Sequence, residues 1–115
     1  MDQTTNGPIV RLAELEIDPA LIDSYKALLA EEMEASIASE PGVLMLCAMA
    51  VKGQPHHIRV FEIYADQQVY DSHLLSPHFL KYKAATSTMV RSLRLVETDP
   101  VLLRARTDGG TGIWS

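Results

Sequence analysis

Hydrophobic and polar positions change their period along the chain, and each change marks a predicted element. Residues 8–17 are rich in branched side chains and end in strict alternation, which predicts a β-strand. Asp18 and Pro19 then provide a capping acceptor and a proline for a first helical turn. Apolar residues recur at helical spacing up to about Ser39, and residues 40–42, Glu-Pro-Gly, end the predicted helix.

Within this helix, one row of side chains has the spacing of a continuous face, with an apolar stripe beside it. Glu31, Glu32 and Glu34 are expected mostly on the solvated side. The members of the row are Leu21, Tyr25, Leu28, Glu32 and Ser36.

The longest apolar run in the chain indicates a sheet that is covered on both faces. Residues 43–51, VLMLCAMAV, lie between two turn signals and are too short to cross a membrane. We interpret them as a strand that forms a hairpin with residues 57–64. Antiparallel strands normally keep one face in water, and this strand has no polar face. We therefore expect helices on one face of the sheet and a second subunit, in a homodimer, on the other.

The second half of the chain predicts two consecutive helices and a last strand. Asp66 can cap a short helix that ends near Leu75, and Ser76-Pro77 repeats the cap-and-proline signal for a helix to about Val90. Residues 92–98 alternate as a strand. The predicted order, β-α-β-β-α-α-β, describes an α+β ferredoxin-like sandwich whose second helical unit is split.

Length and composition are those of one ordinary globular domain, with 115 residues, 47% apolar and 22% charged. We expect the folded domain to span residues 8–103, after a disordered segment at 1–7 and before a flexible tail at 104–115. The apolar residues 101–103 could pair with another chain. A chain this short buries a modest share of its surface, so association would enlarge its core.

The charge distribution disfavours nucleic acid and anionic membrane as partners, because the net charge is −5 and no basic run occurs. Residues 1–66 carry four basic and eleven acidic groups, and residues 67–115 carry six and four, so positive potential is confined to the second half. No run of 18 apolar residues and no signal-peptide pattern occurs, which makes the cytoplasm the expected location.

The sequence predicts neither a metal ion nor an organic cofactor. Standard phosphate-binding, nucleophile and metal motifs are absent, and a single cysteine, Cys47, excludes a cysteine-rich zinc site. His56 and His57 are adjacent on a strand, so their side chains are expected to point to opposite faces and not to share a metal.

His73 is the most informative of the four histidines. It falls on the inner side of the predicted short helix, where a half-buried imidazole can act as acid, base or hydrogen-bond donor, or can simply pack. His78, in the first turn of the next helix, is expected to be neutral and structural. Glu62 and Tyr64 share one face of their strand and could line a pocket or face solvent.

Several segments, in fixed order, resemble the antibiotic biosynthesis monooxygenase (ABM) family. The resemblance covers residues 8–103 and implies a dimeric α+β barrel, in which the sheets of two ferredoxin-like chains pack face to face. That arrangement matches the apolar hairpin described above. The segments are Glu40-Pro-Gly-Val43, Phe61-Glu62-Ile-Tyr64-Ala-Asp66, Asp71-Ser-His73-Leu and Ser76-Pro-His78-Phe79.

Members of this family oxidise polyphenols or quinols without a cofactor, degrade haem, or isomerise a phosphorylated autoinducer sugar derivative. The segment from Glu62 to Phe79 looks most like the quinol-monooxygenase and autoinducer-isomerase branch. Tyr64 stands where many members carry tryptophan. Haem degradation in the family uses an asparagine, a tryptophan and a histidine, whereas here Asn6 precedes the first strand and the only tryptophan is Trp114. This departure argues against haem as the substrate.

The resemblance implies a cofactor-independent monooxygenase that oxidises a small aromatic quinol or polyphenol with O2. His73 would be the base or an anion-orienting donor, Tyr64 would bind a substrate oxygen, and Glu62 would support it. The remaining substrate-binding residues would be Tyr25, Met33 and Phe79 as an apolar wall and Arg91 as an anchor for a substrate anion.

Two other classes of function stay open on the same fold. An isomerase of a small phosphorylated ketone would need a basic anchor, which Lys81, Lys83 or Arg91 could supply. A non-catalytic small-molecule binding module would use the same pocket without needing His73.

Overall fold

The computed structural model describes residues 7–106 and contains the predicted succession of strands and helices. The α+β ferredoxin-like fold is thereby confirmed. Nearly all of the predicted terminal segments, with Asn6 and Trp114, lie outside the described residues. The elements are β1 (Ile9–Ile17), a 3₁₀ turn (Pro19–Leu21), α1 (Ile22–Ser39), β2 (Val43–Val51), β3 (Gln54–Tyr64), α2 (Gln67–Leu74), α3 (Pro77–Thr86) and β4 (Val90–Glu97).

The four strands form one antiparallel sheet in the order β2-β3-β1-β4. On one side of the sheet, Leu15 pairs with Ile58 of β3 and Leu93 of β4. Tyr25 and Leu29 of α1 pack against this side in the main core. We call it the inner face, because the helices cover it and it forms the floor of the candidate site.

Local sequence sets where the helices begin, as predicted. The side chain of Asp18 accepts a hydrogen bond from the Ala20 amide at 3.0 Å, and Asp66 accepts one from the Val69 amide at 2.9 Å. Ser76 caps α3 in the same way. Each cap satisfies an amide that would otherwise have no partner at a helix start.

The opposite side of the sheet, which we call the outer face, has an apolar centre. Cys47, Phe61, Leu12 and Val96 pair in register across all four strands, and each is partly buried. In the core clusters of the described residues, the side chains from the helices pack against the inner face. The outer face is therefore an apolar surface that the described helices do not cover.

Met45 and Met49 extend this outer face along β2. Met45 pairs with Ile63 beside the apolar centre, whereas Met49 pairs with Arg59 in a charged row. In that row, Glu14 lies 3.9 Å from Arg59 and also contacts Arg94 at 3.2 Å. The two methionines thus share one face but have different neighbours.

Two element boundaries differ from the prediction. The last helix ends at Thr86 and not near Val90, because Val90 already pairs with Ile17 as the first residue of β4. β3 begins at Gln54, which pairs with Val51, so residues expected in the turn belong to the hairpin.

No helix among residues 7–106 combines the length and apolar character needed to cross a membrane.

Candidate active site

A cavity of about 700 Å³ lies between the inner face of the sheet and the three helices. Aliphatic and aromatic side chains make up most of its wall, which is the usual character of a small-molecule site. Six of the residues proposed from the sequence line this cavity, namely Met33, Glu62, Tyr64, His73, Phe79 and Arg91.

Tyr25, the remaining residue of that set, lies behind the cavity wall. Its side chain is fully buried in the core, and its hydroxyl is hydrogen-bonded to that of Tyr82 at 2.5 Å. Tyr82 does line the cavity. The structure therefore gives Tyr25 a supporting position, in which it fixes Tyr82, instead of the predicted direct contact.

Tyr64 and Glu62 form a hydrogen-bonded pair on the floor of the site. They are two residues apart on β3, so they share a face, and the Tyr64 hydroxyl donates to Glu62 Oε1 at 2.9 Å. The Tyr64 ring lies edge-on to Tyr70, with centroids 5.0 Å apart. Burial and the neighbouring Glu62 carboxylate raise the pKa of Tyr64, so its hydroxyl stays protonated and can donate.

Burial raises the pKa of Glu62 above its ordinary value, although the hydrogen bond from Tyr64 and the proximity of His73 oppose the shift. A carboxylate in such a position holds a proton more strongly than one in water. Glu62 is therefore a better proton acceptor than a surface glutamate.

This shift predicts a pH-dependent gain in stability for Glu62→Gln. A carboxyl group whose pKa is raised by folding favours the folded state at low pH, and this contribution is lost as pH rises through the folded-state pKa. Glutamine keeps an acceptor for Tyr64 and cannot ionise. We expect Glu62→Gln to have a larger free energy of unfolding than wild type, and we expect this difference to be greater at pH 8 than at pH 4.

Chemical denaturation at the two pH values measures this difference. Glu34→Gln, at an exposed position of α1, is the matched control and should show no such change with pH. A Glu62→Gln variant that gains nothing between pH 4 and pH 8 would contradict the burial of an ionising group in the cavity.

His73 lies between two carboxylates and is more deeply buried than expected, with 3% of its surface exposed. Its Nδ1 is 3.1 Å from Glu40 Oε2, and its Nε2 is 3.4 Å from Glu32 Oε2. Ser36 donates to the same Glu32 oxygen at 2.8 Å. The Phe79 ring packs on the imidazole, with centroids 5.0 Å apart. Both ring nitrogens are therefore held in fixed directions.

Glu40 joins the ends of all three helices. It follows the last residue of α1, and its Oε2 contacts both Nδ1 of His73 in α2 and Nε2 of His78 in α3. Partial burial opposes its ionisation, but the hydrogen bonds with His78 and His73 outweigh burial and lower the pKa of Glu40. An ionised Glu40 thus links two histidines.

Basic groups lie at the rim of the cavity. Lys83 and Arg91 line it, and Arg91, whose side chain is 55% exposed, has its guanidinium 3.4 Å from Asp18. Lys81 is paired with Glu31 on the surface at 2.7 Å and does not line the cavity. Of the three basic anchors considered from the sequence, two are therefore placed at the site.

The prediction that Glu32 faces solvent is wrong, because Glu32 is 6% exposed and lines the cavity. The spacing contained the signal, since Glu32 belongs to the same helical row as Tyr25 and Ser36, which are also buried. Glu40 had no comparable signal in the sequence. It was interpreted as the end of the helix and as part of a family-like segment, without a role in the site, and its partners come from two other helices.

The expectation for His56 and His57 is also wrong. Their rings lie side by side, with centroids 4.5 Å apart, and their nitrogens approach Glu16. The pairing of β2 with β3 shifts in register between Ala50 and Val51, so the alternation of faces is interrupted near these histidines.

Fold and cavity together define the class of protein as a ferredoxin-like α+β domain with a small-molecule pocket between sheet and helices. Residues 8–85 match the family model described as antibiotic biosynthesis monooxygenase, and the chain belongs to this family. This membership supports a monooxygenase-like activity. No protein of curated function is detectably similar to the chain in sequence.

Solved structures agree with this assignment. A protein from Bacteroides thetaiotaomicron, provisionally named an antibiotic biosynthesis monooxygenase, is 43% identical over 89% of this chain and 99% of its own, with a TM-score of 0.85. A provisionally named monooxygenase from Lactobacillus acidophilus is 29% identical over 78% of this chain and 43% of its own, with a TM-score of 0.77. A Caulobacter crescentus structure, 22% identical over 85% of this chain and 93% of its own, shares the fold with a TM-score of 0.80.

Proposed function

We propose that this protein is a cofactor-independent monooxygenase that oxidises a small aromatic quinol or polyphenol with O2, within the quinol-monooxygenase branch of its family. One observation carries the proposal. The largely apolar cavity of about 700 Å³ has two acid–base pairs in its wall, the hydrogen-bonded Tyr64–Glu62 and the imidazole–carboxylate contact His73–Glu32 at 3.4 Å. Such a cavity can hold a flat phenol, take its proton and exclude water from the anion that forms.

The overall reaction balances without an external reductant. A phenol with an unsubstituted ring position reacts with O2 to give a quinone and water, so the substrate supplies every electron. The deprotonated phenol passes one electron to O2, and the resulting radical and superoxide join through a C–O bond. Protonation of this peroxide, cleavage of the O–O bond and loss of the ring C–H proton release water and leave the carbonyl.

His73 and Glu32 are the proposed site of proton uptake. Glu32 lines the cavity and lies 3.4 Å from His73 Nε2, and Glu40 faces the other imidazole nitrogen. A proton taken from the phenol can therefore be held between Glu32 and His73 and returned to the peroxide. This arrangement keeps His73 as the base, with Glu32 as the group that reaches the substrate.

Tyr64, with Glu62 behind it, is the proposed donor to the substrate oxygen. Its hydroxyl stays protonated, so it can turn from Glu62 to a phenolate oxygen and stabilise the charge that develops there. Met33 and Phe79 supply apolar wall against the ring, and Tyr25 holds Tyr82 in place. Arg91 at the rim would contact an acidic substituent of the substrate.

An isomerase of a phosphorylated ketone is the second candidate, because Lys83 and Arg91 both line the cavity. The interior of the cavity carries Glu32 and Glu62, however, which would repel a phosphate that entered deeply. Phosphate could bind only at the rim, so this reaction has less support than oxidation of an aromatic ring.

We also propose that the protein is a homodimer joined through the outer face of the sheet. The apolar row of Cys47, Phe61, Leu12 and Val96 crosses all four strands on a side that the described helices do not cover. Exposed apolar patches of this kind are typical of association sites. The exposed segment at 101–103 is a candidate for pairing with the partner.

Oxygen consumption with quinols and anthrone-like phenols tests the proposed activity. We expect one product oxygen to come from ¹⁸O2 and the reaction to proceed after treatment of the protein with chelators. Binding of sugar phosphates that is lost without their phosphate, with no oxygen uptake, would favour the isomerase. Binding of polyphenols without turnover would identify a binding module and overturn the proposal.

A further inference from the structure

We propose that Glu40, His73 and His78 form a binding site for a divalent transition metal of the Zn²⁺ class, at the junction of the three helices. Their donor atoms, one carboxylate oxygen and two imidazole nitrogens, all lie within 4.8 Å of one another. Two histidines and one carboxylate are a common protein donor set for Zn²⁺ and similar ions. This inference does not depend on the proposed oxygenase activity.

Geometry places the ion against three different elements. Glu40 Oε2 contacts His73 Nδ1 at 3.1 Å and also contacts His78 Nε2, so the carboxylate oxygen lies next to both nitrogens. Bonds of about 2.0–2.2 Å to one ion would hold these three donors at comparable separations. The three donors are thus close enough to share one ion once their side chains rotate to admit it.

A fourth group completes the arrangement around His73. Histidines that bind metals usually donate their other ring N–H to a carboxylate, which fixes the tautomer and the ring plane. Here Nδ1 faces Glu40, and Nε2 lies 3.4 Å from Glu32, whose oxygen also accepts from Ser36 at 2.8 Å. In the tautomer that carries its proton on Nε2, the N–H would donate to Glu32 and the Nδ1 lone pair would face the proposed ion.

Charge balance favours a divalent ion at this place. Glu32 and Glu40 lie on the two sides of His73, and their side chains are 7% and 17% exposed. A largely buried carboxylate is stabilised by positive charge beside it, and a divalent ion held by Glu40, His73 and His78 would supply that charge.

The site is separate from the cavity proposed for the substrate. Glu40 and His78 do not line that cavity, and His73 alone belongs to both. The proposed metal would therefore lie behind the cavity wall and would join the end of α1 to α2 and α3.

A second group of possible metal ligands, Glu16 with His56 and His57, must be distinguished from the proposed site in any binding experiment. Its three residues are all partly exposed at the hairpin end, and the described hydrogen bonds and ion pairs include no contact of Glu16 with either histidine. The proposed site instead has a buried histidine and direct contacts among its members. The double variant His56→Ala/His57→Ala removes the second group and leaves the first intact.

The test is a titration of chelator-treated double variant with Co²⁺ and with Zn²⁺. Calorimetry should show one equivalent of either metal bound, Co²⁺ should give the intense visible absorption of low-coordinate N/O ligation, and metal should raise the melting temperature. Adding His78→Ala or Glu40→Gln should weaken binding by roughly 100-fold or more. Glu40→Gln preserves side-chain volume, so it decides the question if His78→Ala does not fold.

Two results would overturn the inference. One is the lack of stoichiometric binding by the double variant, in which case Glu40, His73 and His78 form only a hydrogen-bonded cluster. The other is binding that is unchanged by both His78→Ala and Glu40→Gln, which would place the metal elsewhere. Oxygen uptake does not enter the experiment, so failure of the proposed enzymatic activity would leave this result standing.

Discussion

Replacing His73 with alanine is expected to lower turnover per folded molecule by roughly 10²–10⁴-fold, the range typical for loss of a general acid or base. The imidazole is the group that connects Glu32, which reaches the cavity, with Glu40. Without the imidazole, the proton taken from the phenol loses an acceptor that Glu40, the second carboxylate, stabilises. The effect is measured as oxygen consumption with a quinol that the wild-type protein oxidises, normalised to the amount of folded protein.

The same variant should also lose stability, by roughly 1–3 kcal/mol, because the Glu40 carboxylate loses a hydrogen-bond partner and Glu32 loses the imidazole beside it. Loss of stability alone therefore does not distinguish a catalytic histidine from a packing one. Turnover per folded molecule does so, since a packing role predicts a near-normal value. Normal oxygen uptake by folded His73→Ala would end the proposal for this residue.

Two further variants sharpen the experiment. His57→Ala removes a partly exposed imidazole at the hairpin end and should leave oxygen uptake unchanged. Tyr64→Phe keeps the aromatic ring against Tyr70 and removes only the hydroxyl that donates to Glu62. It should reduce turnover by less than His73→Ala, because it removes one donor to the anion and leaves proton uptake intact.

Replacing Met45 with lysine is expected to dissociate the proposed dimer into monomers. Met45 is partly buried on the outer face, next to Ile63 and the apolar row that crosses the sheet. An ammonium group buried there without a partner costs about 3–5 kcal/mol, which corresponds to a dimer weakened by roughly 10²-fold or more. Light scattering at micromolar concentration measures the mass of both forms.

Met49→Lys should have a smaller effect on association. Met49 lies on the same face but pairs with Arg59 in the charged row, where its side chain is 45% exposed. Leu80→Lys, on the exposed side of α3, is the control for adding a charge to the surface. A wild-type mass near that of one chain would contradict the dimer, as would a Met45→Lys dimer of undiminished affinity.

Much of the architecture could be predicted from local pattern. The caps at Asp18, Asp66 and Ser76 marked the helix starts, and the apolar run at 43–51 marked the central hairpin. These signals are reliable because a capping side chain acts within three residues and a strand face repeats every second residue. The same periodicity correctly placed Glu62 and Tyr64 on one face.

Periodicity gave a wrong prediction where the backbone departed from regular geometry, and the exposure of one glutamate was also predicted wrongly. The register shift beside Val51 brought His56 and His57 together, although strand alternation predicts that they diverge. Glu32 was predicted to lie mostly on the solvated side, yet its position in the same row of α1 as Tyr25 and Ser36 places it inward. Its burial is tolerated because Ser36 and His73 supply partners.

The sequence by itself determined the order of the elements, the apolar outer face and the choice of His73 as a candidate. Only the tertiary structure decided what His73 touches. Glu40, Glu32 and His78 are separated from it by 33, 41 and 5 positions, and they meet it because three helices converge. The local sequence pattern indicates which face of an element is apolar. Contacts between helix ends depend on how whole elements pack, and a short segment of sequence does not contain that information.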